Sequence, residues 1–326
     1  MEARIYSKDL LFFGVIENFK SLIWTRKYFK PGNFELYAPL TDSNVQLLQP
    51  GNLISKRSAK EAGVIEDLTL EEHNDAKIVA KGRFLSSYFE RRIIKQTMNI
   101  DATVTQAVVQ LAQAANIDFE HMGDGDFFET EEKVKFQVSW KNFLDVLEKI
   151  SLATNIAFRL RPDFEAKQIC FDMYTGVDRS KTQKDRPHII FSEVFNNLES
   201  ARYSYNDQSL KTFFYIGGQG EGTNRTIVTV GENSVGIDRR EMFIDASDIN
   251  PSNISADEYK KLLKQRGEEQ RLKNGIAKSF EGETTATANN RYKIDYDLGD
   301  IVTIQKESWN TAIDMRITEL QEVYED

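Results

Sequence analysis

The chain has 326 residues, 40% of them apolar and 29% charged, with 21 Phe and a net charge of −9. That length exceeds one ordinary domain of roughly 100–150 residues and supplies apolar material for two or three cores. The acidic balance, with its cations dispersed, excludes a nucleic-acid binder, and the charged fraction excludes a membrane-spanning chain.

Residues 1–95 read as the first segment of a β domain. Strands are expected over Ile5–Ile16, Ser21–Phe29, Asn33–Ala38, Leu53–Ser55, Gly63–Leu70 and Lys77–Phe84, with Pro31-Gly32 as a turn and Glu71–Asp75 as a polar hairpin loop. Leu10–Ile16 imitates a signal-peptide core. Asp9 and Glu17 flank it, however, and no small-residue cleavage site follows, so it reads as a buried strand with a Gly bulge. Within Leu22–Phe29, the side chains of Trp24, Arg26 and Tyr28 share one face. Trp, Tyr and Arg are the residue types enriched at interfaces, which makes these three the candidate oligomer contacts; packing at the end of a barrel accounts for them equally well.

Residues 96–185 change character and read as an inserted α/β module. Asp101–Asn116 sets Val104, Ala107, Val108, Leu111, Ala112 and Ala115 on one helical stripe, and Ser139–Thr154 does the same with Trp140, Phe143, Leu144, Leu147 and Ile150, with Ser139 as its N-cap. A strand pair follows around Pro162-Asp163, ending at Gln168–Tyr174. Its lone Cys170 reads as a packed small residue, and one cysteine forms no internal disulfide. Such a chain suits a reducing cytoplasm.

Residues 186–250 return to β, with strands over His188–Phe191, Leu198–Tyr205, Lys211–Ile216 and Thr226–Val230. Residues 251–289 hold a polar helix opened by the capping box Ser255–Glu258, then a linker. Residues 290–326 close the chain as a hairpin after the tight turn at Gly299. Ile313, Met315 and Ile317 alternate with Asp314, Arg316 and Thr318, the period of a half-buried strand. The fold class is therefore α+β, mainly barrel-like β domains built from N-terminal, middle and C-terminal segments around an inserted module.

No catalytic, cofactor or metal-binding residues are assigned. Gly217–Gly222 runs into a strand instead of opening a helix, so it fails as a phosphate loop and reads as a hairpin tip. Asp124, Asp126 and Glu129 crowd one turn, but without a calcium-loop register or a facing acid–base partner they read as a solvated turn. His73, His121 and His188 are dispersed and show no zinc-type spacing.

Three regions together resemble the hub or tail-tip proteins of long-tailed phages and prophages, including the baseplate hub of contractile tails. They are the N-terminal run Asp9-Leu10, Gly14–Ile16, Ser21–Trp24 and Pro31–Leu36; the middle run Asn197–Ser200, Tyr215–Gly218, Gly236–Glu241 and Ile244–Ala246; and the closing hairpin. The likeness spans nearly the whole chain and rests on the order and spacing of modest motifs. It implies a non-enzymatic structural subunit of the virion tail tip, assembled in the bacterial host cytoplasm. That subunit is a homotrimer that caps the tail tube, meets a distal tail ring protein and surrounds the end of the tape-measure protein. Some relatives carry a C-terminal lysin or adhesin; here the hairpin is the last element, so the expectation is a platform without one. The rival reading is a host-surface carbohydrate-binding or peptidoglycan-degrading tail protein.

Overall fold

The computed structural model describes residues 1–57, 59–72, 76–117, 130–252, 254–284 and 289–325. It is a β-rich α+β fold, as expected. Among the described residues no sheet closes into a barrel.

The N-terminal segment forms two antiparallel sheets that share one apolar core. The first has the order Phe12–Ile16, Ala3–Tyr6, Leu53–Lys56, Gly63–Val64. The second has the order Glu319–Glu325, Ser21–Lys27, Asn33–Pro39, Lys77–Arg83, Asp67–Glu71. Asn33–Pro39 shows why these are strands: Phe34, Leu36 and Ala38 point inward while Asn33, Glu35 and Tyr37 stay half-exposed. A short helix, α1 (Asp42–Leu47), capped by Thr41, connects the sheets. The expected long strand Ile5–Ile16 is instead a hairpin whose register slips between Ile5 and Tyr6, and its returning strand leaves Leu11, Phe12 and Phe13 exposed rather than buried.

The inserted module pairs Met98–Thr103 with Lys133–Val138 and Ala157–Asp163 with Gln168–Tyr174. Helices α2 (Val104–Ala114) and α3 (Phe143–Thr154) pack on these hairpins. Thr103 and Gln106 form a capping box at α2, and the expected stripe from Val104 to Ala115 is buried. At α3 the cap sits three residues later than expected, because Asn142 and not Ser139 accepts the N-terminal N–H groups; Trp140 lies outside the helix in a left-handed conformation, 69% exposed. The module's core is not closed on itself. It continues into Tyr6, Leu10, Leu53, Val64, Leu85 and Phe89 of the N-terminal segment.

In the middle segment, Ile227–Gly231, Phe213–Gly217 and Glu241–Asp245 form a sheet covered by α4 (Ala256–Lys273), which opens on the Ser255–Glu258 capping box. Ser200–Asn206 pairs with Ala277–Glu283 as a separate ribbon. The closing hairpin, Ile301–Lys306 with Thr311–Arg316, accepts Ile190–Ser192 as a parallel neighbour. The chain then bends at Ile317–Thr318 and sends a further strand, Glu319–Glu325, back to the edge of Ser21–Lys27. So the C-terminal segment pairs with residues 1–95, while among the described residues no strand of the middle segment pairs with a strand of residues 1–95.

Candidate functional site

Trp24, Arg26 and Tyr28 lie at the centre of the molecule, 0%, 4% and 0% exposed. The face that has interface composition is therefore turned into the chain's own interior, and none of the three side chains lies on its surface. Trp24 packs on Phe84 and Phe34, with ring centroids 4.6 and 6.2 Å away. Arg26 pairs with Glu61 at 2.9 Å and with Asp297 at 2.6 Å, and donates to the Tyr292 hydroxyl at 2.7 Å. The Tyr28 hydroxyl donates to the Asn155 carbonyl at 2.7 Å and accepts from the Gly176 N–H at 3.0 Å. Gly299 closes over the Tyr28 ring; a Cβ there would come within 2.2 Å of it, and φ at +95° also favours glycine.

Further charges gather around this centre. Arg159 donates to Asp172 at 2.7 Å and lies 3.8 Å from Glu61, while Arg161 reaches Asp172 at 3.2 Å. Asp300 accepts from the Val177 N–H at 2.7 Å and from Arg179 at 2.8 Å. Lys56, its side chain wholly buried, donates to Glu322 at 2.5 Å and to the Tyr324 hydroxyl at 3.0 Å, beneath the Trp24 ring. Burial pulls the Lys56 pKa down to about 8 against the opposing pull of Glu322. Burial also works against the charge on Arg26, but Glu61, Tyr292 and Asp297 together hold its pKa above the ordinary value.

This junction joins three stretches of chain that are remote in sequence. Arg26, Lys56 and Glu61 come from the first segment, Arg159 and Asp172 from the inserted module, and Tyr292, Asp297, Asp300 and Glu322 from the last. Buried ion pairs contribute little net stability against apolar packing, yet breaking one is costly, so such a network fixes one arrangement of the elements that carry it. Its carboxylates are held by guanidinium, ammonium and N–H groups. The chemistry it supports is orientation of segments. Sequence reasoning singled out Arg26 and missed its partners. No local signal marks them, because Lys56 and Glu322 lie 266 positions apart.

The other sequence candidates lie away from this centre. Asp124, Asp126, Glu129, His73 and His121 fall outside the described residues. His188 is exposed, with Nε2 3.0 Å from the Gln183 carbonyl oxygen. Cys170 is buried. Gly217–Gly222 is the turn between paired strands Phe213–Gly217 and Ile227–Gly231, with Arg225 donating to the Gly217 and Gly218 carbonyls. Among the described residues no cluster of His, Cys, Asp and Glu is placed to hold a metal ion, and no helix is long and apolar enough to cross a membrane.

Comparison with curated proteins finds no match. The fold, however, is similar end to end to solved tail proteins. A tail protein from Neisseria meningitidis MC58 superposes with a TM-score of 0.62 at 11% identity, over 99% of this chain and 91% of that one. The 43 kDa tail protein of prophage MuSo2 from Shewanella oneidensis gives 0.61 at 13%, over 100% and 95%. Prophage tail protein gp18 from Listeria monocytogenes EGD-e gives 0.57 at 12%, over 99% and 90%. At the level of sequence a single family model covers residues 2–326, and the chain belongs to that family, the Siphovirus ReqiPepy6 Gp37-like proteins.

Proposed function

We propose that the chain is a structural subunit of a phage or prophage tail tip, a baseplate-hub-like platform that caps the tail tube and organises the distal tail. It acts by assembly and not by catalysis. In this reading three copies form a ring in which their open sheets complete barrel-like walls, which removes exposed strand edges. The ring sits beneath a distal tail ring protein and around the end of the tape-measure protein. It is put together in the host cytoplasm and carried in the virion.

The observation that carries the reading is the whole-chain likeness to prophage tail proteins, which leaves little of either chain unmatched. The buried junction supports it, since a platform needs segments held at fixed angles. Light scattering tests it: the expected mass is three times the 37.5 kDa of one chain. A stable two-fold dimer contradicts it. Incubation with bacterial cell walls tests the peptidoglycan-degrading alternative; reproducible loss of turbidity overturns the non-enzymatic assignment.

A further inference from the structure

A cleft of about 260 Å³ opens between α3, α4 and the outer side of the Lys133–Val138 strand. Val134, Phe136, Ile150, Ala153 and Leu272 give it an apolar lining. Among the described residues the Lys133–Val138 strand pairs only with Met98–Thr103, so its cleft side carries no ladder. Two of the four acids on the rim are paired, Asp248 to Arg266 at 3.2 Å and Glu268 to Arg271 at 2.6 Å, and Glu269 lies 4.0 Å from Arg266. Among the described residues Lys141 and Lys149 make no ion pair there. Lys133, Lys135, Lys141, Lys149 and Arg266 line the cleft beside Glu132, Asp248, Glu268 and Glu269, so cations slightly outnumber acids there in an otherwise acidic chain.

A feature of opposite character stands elsewhere on the same molecule. Leu11, Phe12 and Phe13 are 46%, 57% and 52% exposed in succession. They lie at the start of an edge strand whose outer side has no partner among the described residues. The turn that presents them is tight, with Leu10 at φ 61° and the Ser7 N–H donating to the Leu11 carbonyl. Phe12 is braced edge-on by Tyr6 at 5.5 Å, and Tyr6 is stacked on Phe164 at 3.8 Å. Exposed Asp9 and Glu17 flank the run. An apolar edge of this kind invites aggregation unless something covers it.

We propose that the Leu11–Phe13 knob of one copy seats in the α3–α4 cleft of the next copy. Its rings meet the apolar lining, and the carboxylates of Asp9 and Glu17 face Lys149 and Lys141. The inference rests on the homo-oligomer reading above and names its contact. Knob and cleft are different patches, so the contact is head-to-tail, and repetition closes a ring or runs on as a fibre. Phe12 and Phe13 are already half covered, so seating each removes roughly half of the 150–250 Å² that a fully buried aromatic hides from water. The knob is thus an anchor within a larger contact, since stable interfaces bury about 800 Å² per partner.

The test is a double variant, Phe13→Cys with Ala153→Cys, under mild oxidation; native Cys170 is buried. The expected result is a ladder of reducible covalent dimers and trimers, with each single variant remaining monomeric on a denaturing gel. Separately, Phe12→Asp with Phe13→Asp lowers the native mass to that of one chain and leaves the circular dichroism spectrum unchanged, because both side chains are exposed. A wild-type trimer that gives no cross-links overturns this contact and leaves the trimer standing. Self-cross-linking of Phe13→Cys alone overturns it in favour of edge-to-edge pairing. A wild-type chain that stays monomeric overturns both this contact and the homo-oligomer reading.

Discussion

At the scale of single residues, the consequence of the junction is an asymmetry between removing one charge and removing both. Arg26→Met leaves Glu61 buried with only the more distant Arg159 nearby. Removing one partner of a buried pair costs about 3–5 kcal/mol, whereas replacing both with apolar groups is often neutral. We expect Arg26→Met to lower the urea midpoint strongly and Arg26→Met with Glu61→Met to recover more than half of the loss; a double variant as weak as the single one refutes this account. Lys56 predicts a pH dependence. Its folded pKa is about 8 against 10.5 for the ordinary side chain, so between those values the unfolded chain binds a proton that the folded chain has released. Stability therefore rises with pH across that window. The rise amounts to about 3 kcal/mol in full. Lys56→Met lacks it, so the stability difference between wild type and variant shifts towards wild type from pH 7.5 to pH 10. Tyr174 and Tyr292, whose pKa values burial pushes up, act in the opposite sense above pH 10, which sets the upper limit of a clean comparison.

At the scale of elements, the last strand carries the sharpest prediction. Deleting residues 319–326 exposes the edge of Ser21–Lys27 and takes Glu322 away from Lys56. Stranding that ammonium alone costs about 3–5 kcal/mol. Against a total stability of about 5–15 kcal/mol, the deletion is expected to leave the chain unfolded or melting many degrees lower by circular dichroism. A truncated chain that melts like the intact one makes the strand an appendage. This strand also shows where the sequence stops being legible. The alternation around Ile313 and Met315 marked the closing hairpin correctly. Nothing local announced that the chain bends at Ile317–Thr318, because the bend is fixed by remote partners: the Ile317 N–H donates to the Asp300 carbonyl, and the Thr318 carbonyl accepts from Tyr28. Capping chemistry was legible at Ser255, where the box is local. It misled at Ser139, because Asn142 captures the Leu144 and Asp145 N–H groups first. Likewise the run Trp24, Arg26, Tyr28 gave away its importance but not its direction, since burial of a strand face depends on what folds over it.

At the scale of the whole molecule, the likeness to tail proteins was legible in the order and spacing of modest motifs. The continuity between segments was not. Residues 96–185 read in sequence as an inserted module, but their apolar core is shared with the N-terminal segment: removing residues 96–175 with a short Gly-Ser bridge uncovers Tyr6, Leu10, Leu53, Val64, Leu85 and Phe89 together. Each buried side chain of this kind contributes about 1.5–3 kcal/mol. We expect the remainder to aggregate and to bind an apolar dye; a soluble remainder with a sharp melt makes the module a separable unit. The return of Glu319–Glu325 to Ser21–Lys27 also has a consequence in time. A sheet whose second strand begins near residue 21 and whose edge strand ends near residue 325 cannot be finished while the ribosome is still working through the segments between. At about 5–20 residues per second, synthesis of 326 residues takes on the order of 16–65 s. Until the last segment is made Lys56 lacks Glu322, and Arg26, already able to meet Glu61, lacks Asp297 and Tyr292. A nascent or prematurely released chain therefore holds the Arg26–Glu61 pair but leaves Lys56 without its carboxylate and the Ser21–Lys27 edge unpaired, so its first sheet stays unfinished until the final strand arrives.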